Sequence, residues 1–69
     1  MPEIARIGSL FTERRIALRL TQQTLADLAG VSRSSIQSLE RGSGSLSFGS
    51  VIEIADVLGL HIDLSAATG

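Results

Sequence analysis

The sequence predicts an all-α fold of four short helices, closed by one brief β-strand. Three observations predict it. Apolar residues recur at helical spacing through most of the 69-residue chain. The later helical stretches each run into a glycine, at Gly30, Gly42 and Gly59, the residue that ends helices in a left-handed turn. Beyond Gly59 the period drops to two, with Leu60, Ile62 and Leu64 alternating with His61 and Asp63.

The first helix is expected from Ile4 to Leu18, where Ile4, Ile7, Phe11 and Leu18 repeat with Leu10 beside them. Pro2 precedes this stretch, where a proline does no harm. Thr21 stands before "QQTLADLA" as an N-cap, and Leu25, Ala26 and Ala29 form the buried stripe of the second helix. Val31 points inward from the turn after Gly30. Ser32 caps the third helix, whose apolar residues are Ile36 and Leu39 and whose stop is Gly42. Ser47 or a neighbour caps the fourth, with Phe48, Val51, Ile52, Ala55 and Leu58 as its stripe. A lone strand over residues 60–65 has no stable existence in water. Its expected partner is the same strand of a two-fold-related copy, so Leu60, Ile62 and Leu64 are the expected dimerisation residues.

Composition bounds the function. The length fits one domain, residues 1–69 with a core over 7–60, and a core of marginal stability unless another subunit helps. A hydrophobic content of 43% is that of a globular chain, and two Phe as the only aromatics make the core aliphatic. With no Cys there is neither a disulfide framework nor a thiolate metal site. No apolar run reaches the length of a bilayer span and no secretory leader opens the chain, so a cytoplasmic, nucleoid-associated protein is expected. The net charge of −1 lacks the strongly basic balance usual in nucleic-acid binders. Its distribution counts for more. All six cations are Arg, none beyond Arg41, while four of the seven acids lie from Glu40 onward. The N-terminal two-thirds is therefore mildly basic.

The stretch "TQQTLADLAGVSRSSIQSLERG" has the pattern of a helix-turn-helix unit. Ala26 must be small because the second helix of the unit crosses close above it. Gly30 supplies positive φ at little cost. Val31, Ile36 and Leu39 fill the wedge between the helices. The outward residues of the second helix are Arg33, Ser34, Ser35, Gln37, Ser38 and Arg41, an unusual wet face for so short a helix. As a mere solvated surface it would more ordinarily carry Glu, Lys and Ala. As a recognition helix in the DNA major groove the choice is explicable. Serines allow close approach, Arg33 can fork to O6 and N7 of guanine, and Gln37 can pair with the edge of adenine. Gln22, in the first turn of the preceding helix, is placed to anchor a phosphate.

Residues 7–60 resemble the phage-repressor-like Cro/C1-type (XRE) helix-turn-helix family, in the blocks "ERRIALRLTQQTLADLAGVSRSSIQSLERG" and "SFGSVIEIADVLGL". The resemblance implies a lambda-repressor-like bundle that binds double-stranded operator DNA. It carries DNA contact to Gln22, Arg33, Ser34, Ser35, Gln37 and Ser38, with Arg41 on a phosphate. It also implies a structural ion pair between Arg15 and Glu40. One departure is the neutral "GSGSLS" after the recognition helix, where the family usually bears Lys or Arg; modest affinity and a shallow salt slope are expected from it. The ending "FGSVIEIADVLGLHIDLS" resembles HipB-type antitoxins, whose paired C-terminal strands join a dimer, and so implies a kinase-type toxin as a partner.

Other readings find less support. His61 is the sole histidine, so a zinc site or a catalytic dyad lacks its second member. Ser32 and Ser34 have no His base or G-x-S-x-G context, the carboxylates are scattered, and no glycine-rich loop follows a strand. Neither an enzyme nor a cofactor is expected. Arg6, Arg14 and Arg19 read as solvated charges, although Arg14 and Arg19 could reach phosphate. The expectation is therefore a homodimeric repressor of palindromic operator DNA. The competing class is an interaction module that neutralises a toxin, with DNA contact secondary.

Overall fold

The computed structural model describes residues 2–43 and 46–61 of the chain. Four helices follow one another: α1 (Pro2–Ala17), α2 (Gln22–Ala29), α3 (Arg33–Arg41) and α4 (Phe48–Val57). There is no strand among the described residues. Leu60 and His61 leave α4 as irregular chain, and the rest of the strand expected over 60–65, with Ile62 and Leu64, lies outside the described residues.

Each later helix begins in the same way. Thr21, Ser32 and Ser47 hold extended backbone angles as N-caps, and their hydroxyls accept from the amides of Thr24, Ser35 and Ser50 at 3.0, 3.2 and 3.2 Å. The third residue of each helix is again a hydroxyl, which meets the cap hydroxyl at 2.9 to 3.0 Å. A cap of this kind is worth about 1 kcal/mol, a large share for helices of 8 to 10 residues. The ends are equally local. Gly30, Gly42 and Gly59 take φ of 71°, 73° and 69°. The turn after α1 makes the same left-handed step without a glycine: Arg19 has φ 59°, with Arg19 N–H donating to the Ile16 carbonyl and Leu20 N–H to that of Arg15.

α2 is the central helix, packed on α3 on one side and α4 on the other, while α1 packs on α3. Leu25, Ile36, Ile54 and Leu58 are the large side chains removed completely from water, joined by Ala26, Ala29, Phe11, Leu39 and Ala55. Val31, Leu20, Leu46, Val51 and Leu60 pack around this cluster.

Two of the expected stripes require correction. Of the stripe expected around α1, Phe11 is buried, whereas Ile7, Leu10 and Leu18 are 46%, 51% and 40% exposed, and the Ile4 side chain lies outside the described ones. The reason is the way α1 meets α3. Gly8 is buried directly against the α3 backbone, where an added Cβ would lie 2.6 Å from the Leu39 carbonyl oxygen and 2.8 Å from that of Glu40. Close backbone approach at Gly8 is one of the joints of that interface. On α4 the buried set is Ile54, Ala55 and Leu58 with Val51 partly covered, while Phe48 and Ile52 stand 57% and 38% exposed. The helix, which packs on α2, thus turns Ile54 and not Ile52 into the core.

Candidate nucleic-acid interface

α3 divides its residues cleanly. Ile36 and Leu39 face the core, and Arg33, Ser34 and Arg41 are exposed. Ser35, Gln37 and Ser38 are partly covered. Arg33 stands in the first position of the helix, immediately after the Ser32 cap. The hydroxyls of Ser34 and Ser35 lie 3.0 and 2.9 Å from that of Ser32, so this end of α3 presents a small hydroxyl cluster beside a guanidinium. A helix end of this composition can approach a groove wall closely and offers donors and acceptors to base edges and phosphates. Arg41 closes the helix at the other end.

The opposite end of α3 is anchored by a carboxylate. Glu40 Oε2 accepts from Arg15 Nε at 2.7 Å and Oε1 from Arg15 Nη2 at 3.2 Å, a two-pronged ion pair between α1 and α3. The side chains are only 14% and 8% exposed, so water screens the pair little. Arg15 also donates through Nη1 to the Leu20 carbonyl at 2.8 Å. Gln22, at the start of α2, points its amide inward, with Nε2 donating to Glu40 Oε1 at 3.1 Å. Burial pushes the Glu40 carboxyl up. The hydrogen bonds from Arg15 and Gln22 and the charge of Arg15, with Thr12 beside them, outweigh that and hold it below its ordinary range.

Three contributions to this architecture escaped the sequence reading. Gly8 carried a weak signal, since glycine inside a helical run costs stability and asks for a packing reason. Arg14 carried none: its Nε donates to the Leu58 carbonyl at 2.8 Å, closing the C-terminal end of α4. The inward turn of Gln22 had no local signal either. Among the described residues no three His, Asp or Glu side chains gather as metal ligands would. No helix there is long and apolar enough to cross a membrane.

Comparison with known proteins agrees with this architecture. Residues 12–65 match the helix-turn-helix family model. The chain is 42% identical over 59 residues to an uncharacterized transcriptional regulator in the ATPase CF(0) region of Rhodospirillum rubrum. That match takes in 86% of this chain but 55% of the relative, so the chain spans about half the length of that protein. Among solved structures it resembles the restriction-modification controller protein C.AhdI from Aeromonas hydrophila, with a TM-score of 0.80 and 31% identity, over 88% of this chain and 92% of that one. By its matched residues and by its fold, the chain belongs to the helix-turn-helix family, of the Cro/C1 (XRE) type whose motif it carries.

Proposed function

We propose that this protein is a sequence-specific DNA-binding transcriptional regulator that works by binding, not catalysis, as a homodimeric repressor of palindromic operator DNA at the nucleoid. The observation that carries this reading is the face of α3, with Arg33 and Ser34 exposed and Gln37 beside them, over a buried Ile36 and Leu39. In such a unit the second helix enters the major groove, Arg33 reading guanine, Gln37 reading adenine, and Ser35, Ser38 and Arg41 completing the contacts. The regulator of Rhodospirillum rubrum and the controller protein of Aeromonas hydrophila support a regulatory role for the match.

Two copies would set their recognition helices about 34 Å apart on one face of the duplex. The exposed Phe48 and Ile52 on α4, with the groove that Ile52 shares with Ala55, Asp56, Leu60 and His61, support a second copy at this edge. Replacing Ile62 with Asp tests the strand half of the assembly: a monomer by sedimentation is expected, and a surviving dimer removes the strand from the interface. The toxin-neutralising alternative draws its support from the near-neutral charge and from the resemblance of the C-terminal stretch to HipB-type antitoxins.

The test is a mobility shift with duplex from the protein's own promoter region against random duplex, at two salt concentrations. Specific, salt-sensitive retardation is expected, lost in Arg33→Ala and Gln37→Ala with the fold unchanged by circular dichroism. Retardation that both variants retain would sink the assignment of α3 as the reading helix.

A further inference from the structure

We propose that Gln22 is a positioning residue for the recognition helix, latching the open end of the α2–α3 pair through the carboxylate of Glu40. The inference rests on the DNA-binding reading above, because it concerns how α3 is presented to the groove.

α2 and α3 diverge from the turn at Gly30–Ser32, where Val31 N–H donates to the Ala26 carbonyl at 3.0 Å. That turn fixes one end of the pair. At the other end stand the first residue of α2, Gln22, and the last but one residue of α3, Glu40. Their 3.1 Å bond joins positions 18 apart in the chain and ties to α2 an end of α3 that Arg15 and Gly8 hold to α1. It also completes a ring. Arg15 holds both oxygens of Glu40 and the carbonyl of Leu20, two residues before Gln22, and Gln22 returns to the same Glu40 oxygen that Arg15 Nη2 contacts. The ring takes in the end of α1, the α1–α2 turn, the start of α2 and the end of α3.

Geometry makes this consequential. A recognition helix held to α1 but released from α2 at this end can tilt against α2. At 1.5 Å rise per residue, a tilt of about 10° moves Gln37, roughly five residues along, by about 1 Å. Hydrogen bonds to base edges weaken steeply over such a displacement. A carboxamide has two N–H groups and one acceptor, and one N–H of Gln22 is committed to a charged partner, the stronger class of hydrogen bond. One N–H of the side chain that the sequence assigned to a phosphate is therefore used inside the protein.

The experiment separates the two roles with Gln22→Met, which keeps the length of the stem and deletes the amide. Affinity for the promoter duplex is measured for Gln22→Met in the wild-type and Glu40→Ala backgrounds. A latch predicts a loss of about tenfold in the first and less than twofold in the second, because without Glu40 there is nothing left to hold. The same factor in both backgrounds would mean an independent contact with DNA and would overturn the proposal. A second readout needs neither DNA nor the Glu40 variant. The charge facing Glu40 is Arg15 from α1, with Gln22 and Thr12 as neutral neighbours. The Glu40 carboxyl is titrated by NMR in the wild type and in Gln22→Met. A midpoint that rises on losing the amide supports the latch, and an unmoved one overturns it. Wild-type protein that fails to prefer promoter over random duplex would count against the DNA reading, while the titration still decides the tie.

Discussion

Alanine at position 8 gives the sharpest test of how the recognition helix is seated. Inside a helix, Gly→Ala ordinarily stabilises by about 1 kcal/mol, because glycine loses more backbone freedom on folding. Here a Cβ would lie 2.6 Å from the Leu39 carbonyl oxygen, 2.8 Å from the Glu40 oxygen and 3.1 Å from its carbon. Ordinary contact begins near 3.4 Å, so the α3 backbone has to retreat by about 0.8 Å. These are main-chain atoms with no rotamer to escape into. The Leu39 oxygen is moreover engaged, accepting from Gly42 N–H at 3.0 Å in the turn that ends α3. Overpacking costs about 1–3 kcal/mol, and rigid main-chain atoms put this site in the upper part of that range, about 2–3 kcal/mol, which outweighs the propensity gain of about 1 kcal/mol. Gly8→Ala is expected to lose about 1–2 kcal/mol net, a fall in Tm of roughly 4–16 °C for a domain of this size. Gly49 in α4 is the control, since nothing lies within 4 Å of its added Cβ, and Gly49→Ala should gain about 0.5–1 kcal/mol. Thermal unfolding followed by circular dichroism reads both. A Gly8→Ala protein as stable as wild type would refute the close approach of α1 to α3.

Other substitutions probe the remaining joints. Arg19 holds φ 59° where a side chain is disfavoured by roughly 1–2 kcal/mol, so Arg19→Gly should raise Tm by a few degrees, and a fall would mean the Arg side chain makes a stabilising contact. Arg14→Met removes the donor on the Leu58 carbonyl and should cost about 1 kcal/mol, seen as faster amide exchange at the end of α4; exchange at the wild-type rate would argue that the bond contributes nothing. Glu40 titrates lower in the folded chain than in the unfolded one. Its stabilising contribution is therefore complete above the unfolded carboxyl's range, near pH 4.3, and is lost as pH falls through the folded value. Stability measured from pH 7 to pH 3 should fall more steeply in wild type than in Glu40→Gln; identical slopes would show that this carboxyl is not the acid-sensitive group.

How much of this was legible in the sequence depends on the range of the interaction. The starts and stops of α2, α3 and α4 could be read because each is decided within four residues: Thr21 reaches Thr24, Ser32 reaches Ser35, Ser47 reaches Ser50, and the glycines supply the left-handed turn at the far ends. The helix-turn-helix register could be read for the same reason. Leu25, Ala26 and Ala29 on α2, and Ile36 and Leu39 on α3, are the buried residues that the spacing named. Arg15 and Glu40, 25 residues apart, became legible only through resemblance to a family.

What only the tertiary structure decided is which side of each outer helix turns inward and what ties the helices together. On α4 the choice between Ile52 and Ile54 cannot be made from periodicity, because both lie within a helical stripe, and only the packed structure shows that Ile54 is the buried one. On α1 a glycine makes the closest approach to α3, and that depends on where the α3 carbonyls lie. Arg14 on the Leu58 carbonyl and Gln22 on Glu40 span 44 and 18 residues, so nothing beside either side chain announces its partner. Caps and periods are properties of neighbours along the chain and stand written in it. Faces, close approaches and long-range latches belong to the packing of helices on one another, and exist only once that packing has brought distant residues together.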